Sequence, residues 1–428
     1  MPEDSHRAAE MLKRVLQHRG VEDLRRQLAP KVDNLPPRVR NSAKITPDLL
    51  DERWSLLGAG ADSRAMLLDP QTEAQAARYE RNIENFIGTV KLPIGLAGPL
   101  RVNGIFANGD YYVPLATTEA ALVASYSRGA QVITEAGGCT ALLLDEGVSR
   151  APAFAFDNLR DCGTFVMWAL DQIDQFRHVT ESTTSHGRLI DVRFTIEGNH
   201  VYLNFEYQTG DASGQNMVTI ATEAICAYIR EHTPIHFRYS FLEANLSGDK
   251  KASAQSFTSV RGKKVTAEAV IPAELMERRL HTTPERLARY GTMANMGAVL
   301  SGTMGVQGHY ANGLAALYIA CGQDAACVAE SAVGVTRGEV MDSGDFYISV
   351  TLPNIMVGTV GGGTGLPSQR ACLEIIGLAG PEHAQALAEV SAALCLAGEL
   401  SITSALSAGD FAHAHARLAR GKAAVKAT

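Results

Sequence analysis

The chain has no apolar run of the about 18 residues that a membrane span requires. Its opening stretch, MPEDSHRAAEMLKRVL, is charged and lacks the apolar centre of a secretory signal. The seven cysteines are scattered and never form CxxC. An odd, unpatterned set points to a reducing compartment and excludes a zinc knuckle. There is no HExxH and no other metal-ligand spacing, so no metal is expected. No G-x-G-x-x-G follows a strand of Rossmann type. Positive charge is also scarce: the net charge is -7, which argues against nucleic acid as the main partner. What is present is ordinary. The 428 residues are 46% hydrophobic and 20% charged, enough for two or three domains with a large core. The expectation is a soluble cytoplasmic protein with neither membrane nor nucleic acid as partner.

One stretch organises the rest. Residues 312–336, NGLAALYIACGQDAACVAESAVGVT, are apolar or small almost throughout, which predicts a helix buried on every side. Gly322-Gln323-Asp324 sits in its middle. A carboxylate in so dry a place needs a cation or donor against it. A helix cap following a break at Gly322 is the alternative.

Residues 1–83 are charged and helical in pattern, with an apolar stripe at Leu12, Val15 and Leu16 that Leu24 and Leu28 continue. They read as a small N-terminal helical segment, broken at LPPRVR (35–40). From 84 the composition changes to short strands punctuated by Pro and Gly. VPLATTEAALVASYSRGAQVI then runs from strand into helix, with Thr117-Thr118 as N-cap and Glu119 in the first turn. Glu119 there can simply complement the helix dipole.

Residues 151–242 form a unit of their own. A short strand (APAFAF) precedes one helix (DNLRDCGTFVMWALDQIDQFRHV). RLIDVRFTI and HVYLNFEYQ alternate apolar and polar residues and join at Glu197-Gly198-Asn199, a hairpin. An amphipathic helix and a last strand complete βαββαβ, the split ferredoxin-like order. The loop TGDASGQNM (209–217) opens that second helix, and backbone N–H groups at a positive helix end are a natural phosphate seat. Residues 243–251 connect the insertion back to the body and carry Asp249-Lys250-Lys251. Residues 84–150 and 252–428 make the large domain around a long central helix, an α/β (α+β) fold. Gly361-Gly362-Gly363 ends a strand and lets a ligand approach the backbone. ALAEVSAALCLAGELSITSALSAG reads as a pair of small-residue helices. His413 and His415 in the tail are two apart, which turns them to different helix faces and speaks against a shared metal.

ENFIG, LPIGLAGPL, VPLATTE, DASGQNM, DKK, ACGQDAA and GTVGGGTGLPSQ occur in that order. Together they resemble 3-hydroxy-3-methylglutaryl-CoA (HMG-CoA) reductase, from about Glu84 to the C-terminus. The DKK triplet in the connecting segment is similar to the class I form, and the lack of a membrane-anchoring part to the soluble prokaryotic members. The resemblance implies reduction of HMG-CoA to mevalonate and CoA by two hydride transfers. It implies NADPH as cofactor, with NADH as the alternative, and a homodimer or homotetramer with active sites at the subunit interface. It assigns Glu119, Lys250, Asp324 and His415 to catalysis. Lys250 would stabilise charge on the carbonyl oxygen, Glu119 would exchange its proton from a raised pKa, and Asp324 would couple the two. His415 would protonate the departing thiolate. Arg150, Asn245, Asp249, Lys251, His309 and Asn312 would bind substrate. Ser185, Asp211, Ser213, Gly214, Gln215, Asn216 and Gly361, Gly362 and Gly363 would line the cofactor.

The chain departs from the family in places. Glu243 stands where a substrate-touching serine is expected, and Ser256 where an asparagine is. The cofactor loop TTSHGRL (183–189) lacks the usual arginine after the serine, leaving Arg188 or Arg420 to meet a 2′-phosphate. Gly421 replaces a regulatory serine. Two other readings are a reductase of a different acyl-CoA or carrier-bound acyl group, or one run oxidatively on mevalonate, and a non-catalytic CoA- or nucleotide-binding protein. The set Glu119, Lys250, Asp324 and His415 speaks against the second, since binding alone needs no such combination.

Overall fold

The computed structural model describes residues 5–16, 20–33, 35–40, 42–80 and 82–409. Two compact units divide the chain, the first ending at Thr89 and the second starting at Val90. The break therefore follows ENFIG, rather than preceding it at residue 84.

The first unit is helical, as its pattern predicts. Ser5–Leu16 and Val21–Leu28 are helices, but Met11, Leu12 and Leu28 are exposed. The helix Pro47–Leu56 starts where Pro47 fixes the first turn and the Thr46 hydroxyl accepts the Leu49 N–H, a cap worth about 1 kcal/mol. Its Leu50 and Trp54 pack with Ile45, Leu68, Ala76 and Phe86 into a small core. Arg53 is buried because three carbonyls use it: it donates to Phe86, Ser42 and Lys44. Trp54 donates to the Ile87 carbonyl at 3.0 Å. ENFIG is thus held by its backbone within this unit.

In the second unit the sheet has 11 strands. Its path runs Tyr239–Phe241, Ala153–Ala155, His200–Gln208, Cys139–Arg150, Gly262–Ile271, Phe346–Ile355, Gly334–Val340 and Gly305–Val306. Arg188–Glu197 lies beside His200–Gln208, and the hairpin Ile94–Gly104 with Asn108–Ala116 attaches to Cys139–Arg150. The four strands of the insertion take the antiparallel spatial order 4-1-3-2 in their own sequence. That is the ferredoxin-like arrangement which βαββαβ predicts. The hairpin turns at Gly198-Asn199, with Glu197 opposite His200 and Gly198 at φ +55°. The first helix of the insertion is two, Leu159–Asp171 and Ile173–Thr183, because Gln172 leaves helical geometry. No Gly or Pro marks that break; the Tyr228 hydroxyl holds the Gln172 side chain at 2.8 Å. The insertion shares its sheet with the body, since Cys139–Arg150 pairs with Gly262–Ile271 and, through 148–150, with His200–Gln208.

The long central helix is Ala384–Ala408, one uninterrupted helix of 25 residues rather than a pair. Twenty of them are buried. Its length and hydropathy suit a membrane span, but 78% of the apolar window is enclosed by the protein, so it is a core helix. Small residues allow close approach: a Cβ on Gly129 of the helix Leu122–Glu135 would overlap the Ala397 carbonyl. Two acids lie within this helix, and both are satisfied by backbone amides. Glu389 accepts from Phe106 at 2.9 Å and Ala107 at 2.7 Å. Glu399 accepts from Gly308 at 2.7 Å, His309 at 2.8 Å and the Thr336 hydroxyl at 2.8 Å. Two carboxylates so buried and so well donated pin loops onto the core.

The stretch 312–336 is not one helix. Tyr310–Ala320 is a buried helix that stops at Cys321; a tight turn through Gly322, the short helices Ala325–Cys327 and Val328–Ser331, and the strand Gly334–Val340 follow. Gly322 adopts φ +69° and packs on the backbone of Gly363, where a Cβ would overlap the carbonyl. Glycine is required there by the close approach of two backbone segments.

Candidate active site

The turn at 321–324 brings Asp324 to the surface. Its side chain is 40% exposed, not buried as the composition predicts. One carboxylate oxygen caps Ala325–Cys327 by accepting the Ala326 N–H at 3.0 Å. The other meets the Lys250 ammonium at 2.8 Å. Cap and ion pair are therefore the same residue. The Asp324 hydrogen bond, with its charge, holds the Lys250 pKa above the ordinary lysine range despite some desolvation. Lys250 has φ +57°, a left-handed conformation worth roughly 1–2 kcal/mol of strain for a residue with a Cβ. The loop is fixed enough to impose it.

What fixes the loop is a set of buried groups under it. The Ser149 hydroxyl donates to the Ser247 carbonyl at 3.1 Å. Asp249 lies between Arg150, at 3.1 Å, and Arg261. Burial pushes the Asp249 carboxyl up, but Arg261 and then Arg150 outweigh it and hold the group below its usual range. Arg150 also approaches Glu243 at 3.4 Å, and Glu243 accepts the Asn245 N–H at 2.8 Å and the Ala151 N–H at 3.2 Å. Lys251 is exposed and donates to the Asp249 carbonyl at 2.8 Å. Asn245 is exposed, at φ +65°. Ser256 is buried and accepts from Asn354 at 2.6 Å, while Asn354 accepts the Arg261 N–H.

Glu119 belongs to a turn before the helix Leu122–Glu135, not to its first turn. The Thr117 hydroxyl accepts the Glu119 N–H at 3.0 Å, and Ala121 at φ +71° leads into the helix. Glu119 is exposed. Asn312 donates to both its oxygens, at 3.3 and 3.5 Å. His309 is tied down twice: its N–H goes to Glu399, and its ring nitrogen Nε2 lies 2.8 Å from the Gly398 carbonyl. The Tyr126 ring lies tilted against that of His309, with centroids 4.9 Å apart, and its hydroxyl donates to the His309 carbonyl. Among the described residues, no hydrogen bond or ion pair links Glu119 and Asn312 to Lys250 and Asp324. His415 lies outside the described residues, as do His413, Arg420 and Gly421.

Three glycine-rich motifs meet. The Gln323 side chain accepts the Gly358 N–H at 2.8 Å and donates to the Gly358 carbonyl at 3.0 Å. The Gln215 amide reaches the Cys327 sulfur at 2.8 Å. The Thr359 N–H donates to the Asp211 carbonyl at 2.9 Å. Asp211 directs its carboxylate to the amides of Glu382 and Ala384, capping the central helix rather than standing free for a ligand. Gly214, at φ +75°, starts the helix Gln215–His232, and Ser213 and Asn216 flank that start. Gly361 and Gly362, at φ +73° and +54°, have open space where side chains would stand. Gly363 is instead packed on Gly322. A helix N-terminus and an open glycine pair fit a phosphate-bearing cofactor. Ser185 is exposed in a turn where the Thr184 hydroxyl accepts the His186 and Gly187 N–H groups. No group of metal-ligand type forms among the described residues.

The sequence reading missed Arg261, Glu330, Gln323, Glu389 and Glu399. The two acids of the central helix had a signal: each is a lone carboxylate inside an uncharged apolar stretch. Arg261 had none, since VRGKKV reads as surface.

Residues 50–420 match the family described as Hydroxymethylglutaryl-coenzyme A reductase. The 3-hydroxy-3-methylglutaryl-coenzyme A reductase of Pyrococcus horikoshii is 46% identical over 347 residues, covering 79% of this chain and 84% of that protein. The same-named protein of Aeropyrum pernix is 45% identical over 388 residues, covering 89% of this chain and 90% of its own length. Of solved structures, the class II reductase of Streptococcus pneumoniae, bound to NADPH in open conformations, superposes with a TM-score of 0.63 at 21% identity. That likeness covers 83% of this chain and 96% of the other, and is one of fold.

Proposed function

The chain belongs to the hydroxymethylglutaryl-coenzyme A reductase family, and we propose that its own residues divide the work of the reaction as follows. The enzyme reduces HMG-CoA to mevalonate and CoA, a conversion of thioester to alcohol in two steps. Each step builds negative charge on a carbonyl oxygen. Lys250 supplies the cation for that oxygen, in a loop that holds it in place beforehand. Asp324 keeps the ammonium charged and aimed. Glu119 exchanges the proton with the oxygen, and His415 protonates the thiolate of departing CoA. Arg150, Lys251, Asp249 and Asn245 receive the acyl portion, with Asn312 orienting Glu119 and His309 on the CoA side. A nicotinamide cofactor supplies the two hydrides. The start of the helix Gln215–His232, with Ser213, Gln215 and Asn216, would seat its phosphates, and Gly361 and Gly362 would face it. Ser185 in the loop and Arg188 at the start of the strand that follows it are available to a 2′-phosphate, which supports NADPH, with NADH as the alternative.

The single observation that carries this reading is the 2.8 Å pair of Lys250 and Asp324 on a loop braced from beneath. The DKK triplet in the connecting segment supports a class I-like form. The exposure of Glu119, Lys250 and Asp324 supports a homodimer or homotetramer in which a second copy completes and dries the site. The body formed by 90–150 and 252–428, the insertion 151–242 and the connecting loop 243–251 then act as substrate, cofactor and catalytic parts. Archaeal relatives and the enclosed central helix support a soluble cytoplasmic enzyme.

Glu243 favours a second reading. It neutralises part of Arg150, the residue assigned to an acyl carboxylate, and so suits a different acyl group. Nicotinamide absorbance with HMG-CoA, comparing NADPH and NADH, decides. About two nicotinamides oxidised per mevalonate is the expected result. Turnover only with another acyl thioester would establish the second reading. No turnover at all, with CoA still bound, would leave a binding protein.

A further inference from the structure

The Lys250–Asp324 pair is about 40% exposed on both sides, and exposed ion pairs hold their geometry weakly. A second, buried link joins the same two segments below it. Asp249, the neighbour of Lys250, is paired with Arg261. Arg261 is 4% exposed, and its Nε stands 3.0 Å from Oε2 of Glu330, which has no exposed surface. Glu330 lies six residues beyond Asp324, on the short helix Val328–Ser331 that continues directly from Ala325–Cys327. The guanidinium of Arg261 is therefore shared between a carboxylate on the Lys250 loop and one on the Asp324 segment. The Arg261–Glu330 contact is ionic rather than an aligned hydrogen bond, for Nε of Arg261 makes no hydrogen bond across it.

We propose that Arg261 and Glu330 are positioning residues for the reduction, a buried brace that sets where Lys250 stands against Asp324. The proposal rests on the reading of Lys250 as the cation at the reacting oxygen. A buried ion pair is a poor source of net stability compared with apolar side chains of like volume. Its geometric effect is specific: it fixes the spacing of two loops whose tips must meet within hydrogen-bond distance. The groups facing Glu330 are Arg261 from the strand side, Asp249 and the Lys250 backbone N–H from the loop, and Cys327 from its own turn. Ionised Glu330 grips Arg261 from one side while Asp249 grips it from the other. Protonated Glu330 releases Arg261 toward Asp249 and slackens the link. Burial pushes the Glu330 carboxyl up to about 7, against the pull of Arg261, so this change falls in the neutral range.

Two variants test the brace: Glu330→Gln, and the double replacement Arg261→Met with Glu330→Met, which removes both charges and keeps volume. Two quantities are read on each, with thermal melting as the check of folding. One is kcat and KM for HMG-CoA across pH 6–8. The other is the rate at which an amine-acylating reagent labels Lys250 relative to Lys251, followed by peptide mass spectrometry on protein without substrate. The expected result is a kcat lowered roughly 10- to 100-fold with KM within about twofold, and loss of one limb of the neutral pH profile. The Lys250 to Lys251 labelling ratio should rise several-fold as Asp324 ceases to shield the ammonium. A folded variant with parental kcat and parental labelling ratio overturns the proposal. If the double variant does not fold, Glu330→Gln decides by the same two readouts. The labelling ratio needs no turnover, so a parent protein inactive on HMG-CoA refutes the functional reading while the brace is still judged.

Discussion

Lys250→Gly separates catalysis from stability at a single position. The substitution removes the ammonium and its 2.8 Å contact with Asp324. That pair is about 40% exposed, so its loss should destabilise by at most about 1 kcal/mol. The same change relieves a Cβ held at φ +57°, worth roughly 1–2 kcal/mol in the other direction. Added freedom in the unfolded chain returns about 0.5–1 kcal/mol against the variant. These terms nearly cancel, and the variant should melt within about 2–4 °C of the parent. Catalysis has no such compensation. Loss of the group that meets the developing oxyanion should lower kcat by about 10²–10³-fold. The assay is nicotinamide oxidation at saturating HMG-CoA, beside a thermal melt. A kcat within threefold of the parent would show that the oxyanion is stabilised elsewhere. A drop of 10 °C would show that the loop depends on the Lys250 side chain for its fold, and the strain argument would fail.

Lys251→Ala should raise KM for HMG-CoA and change kcat little, because Lys251 is exposed, is assigned to the acyl portion and donates to the Asp249 carbonyl of its own loop; a kcat loss matching that of Lys250→Gly would exchange the two roles. His415→Gln should slow HMG-CoA reduction by roughly 10²–10⁴-fold and spare reduction of free mevaldehyde, which has no thiolate to release; equal losses on both substrates would place His415 in the hydride steps. Glu330→Gln should gain stability relative to the parent as pH rises from about 4.5 to 7. In that window the unfolded glutamate gives up its proton and the buried one keeps it, so the parent loses up to about 3 kcal/mol that the amide does not. Urea melts of both proteins at pH 5 and pH 7.5 measure it, and parallel stabilities would contradict the raised pKa. Gly129→Ala should destabilise by about 1–3 kcal/mol, since the new methyl overlaps the Ala397 carbonyl; an unchanged denaturation midpoint would mean that the two helices part freely.

The fold was legible wherever one periodicity ran unbroken. The hairpin 188–208 declared itself by alternation and a Gly-Asn turn, and the helix Gln215–His232 by its amphipathic pattern. Chain geometry then dictated the ferredoxin-like order. Periodicity failed in the uniformly small, apolar stretches. In 312–336 nothing distinguishes a helix that continues from one that stops, because every face is apolar. The stop comes from Gly322 meeting Gly363, a contact between residues 41 apart in the chain and invisible to any local pattern. The central helix was misread in the opposite sense. The stretch reads as a pair of helices, yet it is one, and Gly398 lies mid-helix, where a Cβ would strike the Tyr126 ring. Glycine there serves packing, not a turn.

The candidate site was legible as motifs and opaque as electrostatics. Asp249 of DKK is held between Arg150 and Arg261, whereas Lys250 and Asp324 are half exposed, and Asp324 caps a short helix as the break at Gly322 suggests. Their significance lies in their meeting, which depends on charges the motifs do not contain. Arg261 sits in a basic run that reads as surface, and Glu330 in a short polar interval after the apolar helix. Arg261 is buried between the carboxylates of Asp249 and Glu330, and Glu330 is buried against Arg261. Residues of this kind carry no pattern of their own, since burial of either alone would be forbidden by desolvation. Asp211 errs the other way. Its loop resembles a cofactor loop, but its carboxylate is directed to the amides at the start of the central helix. The loop is thereby tied to the start of the longest core element among the described residues, and that gives Asp211 a structural reason to be there.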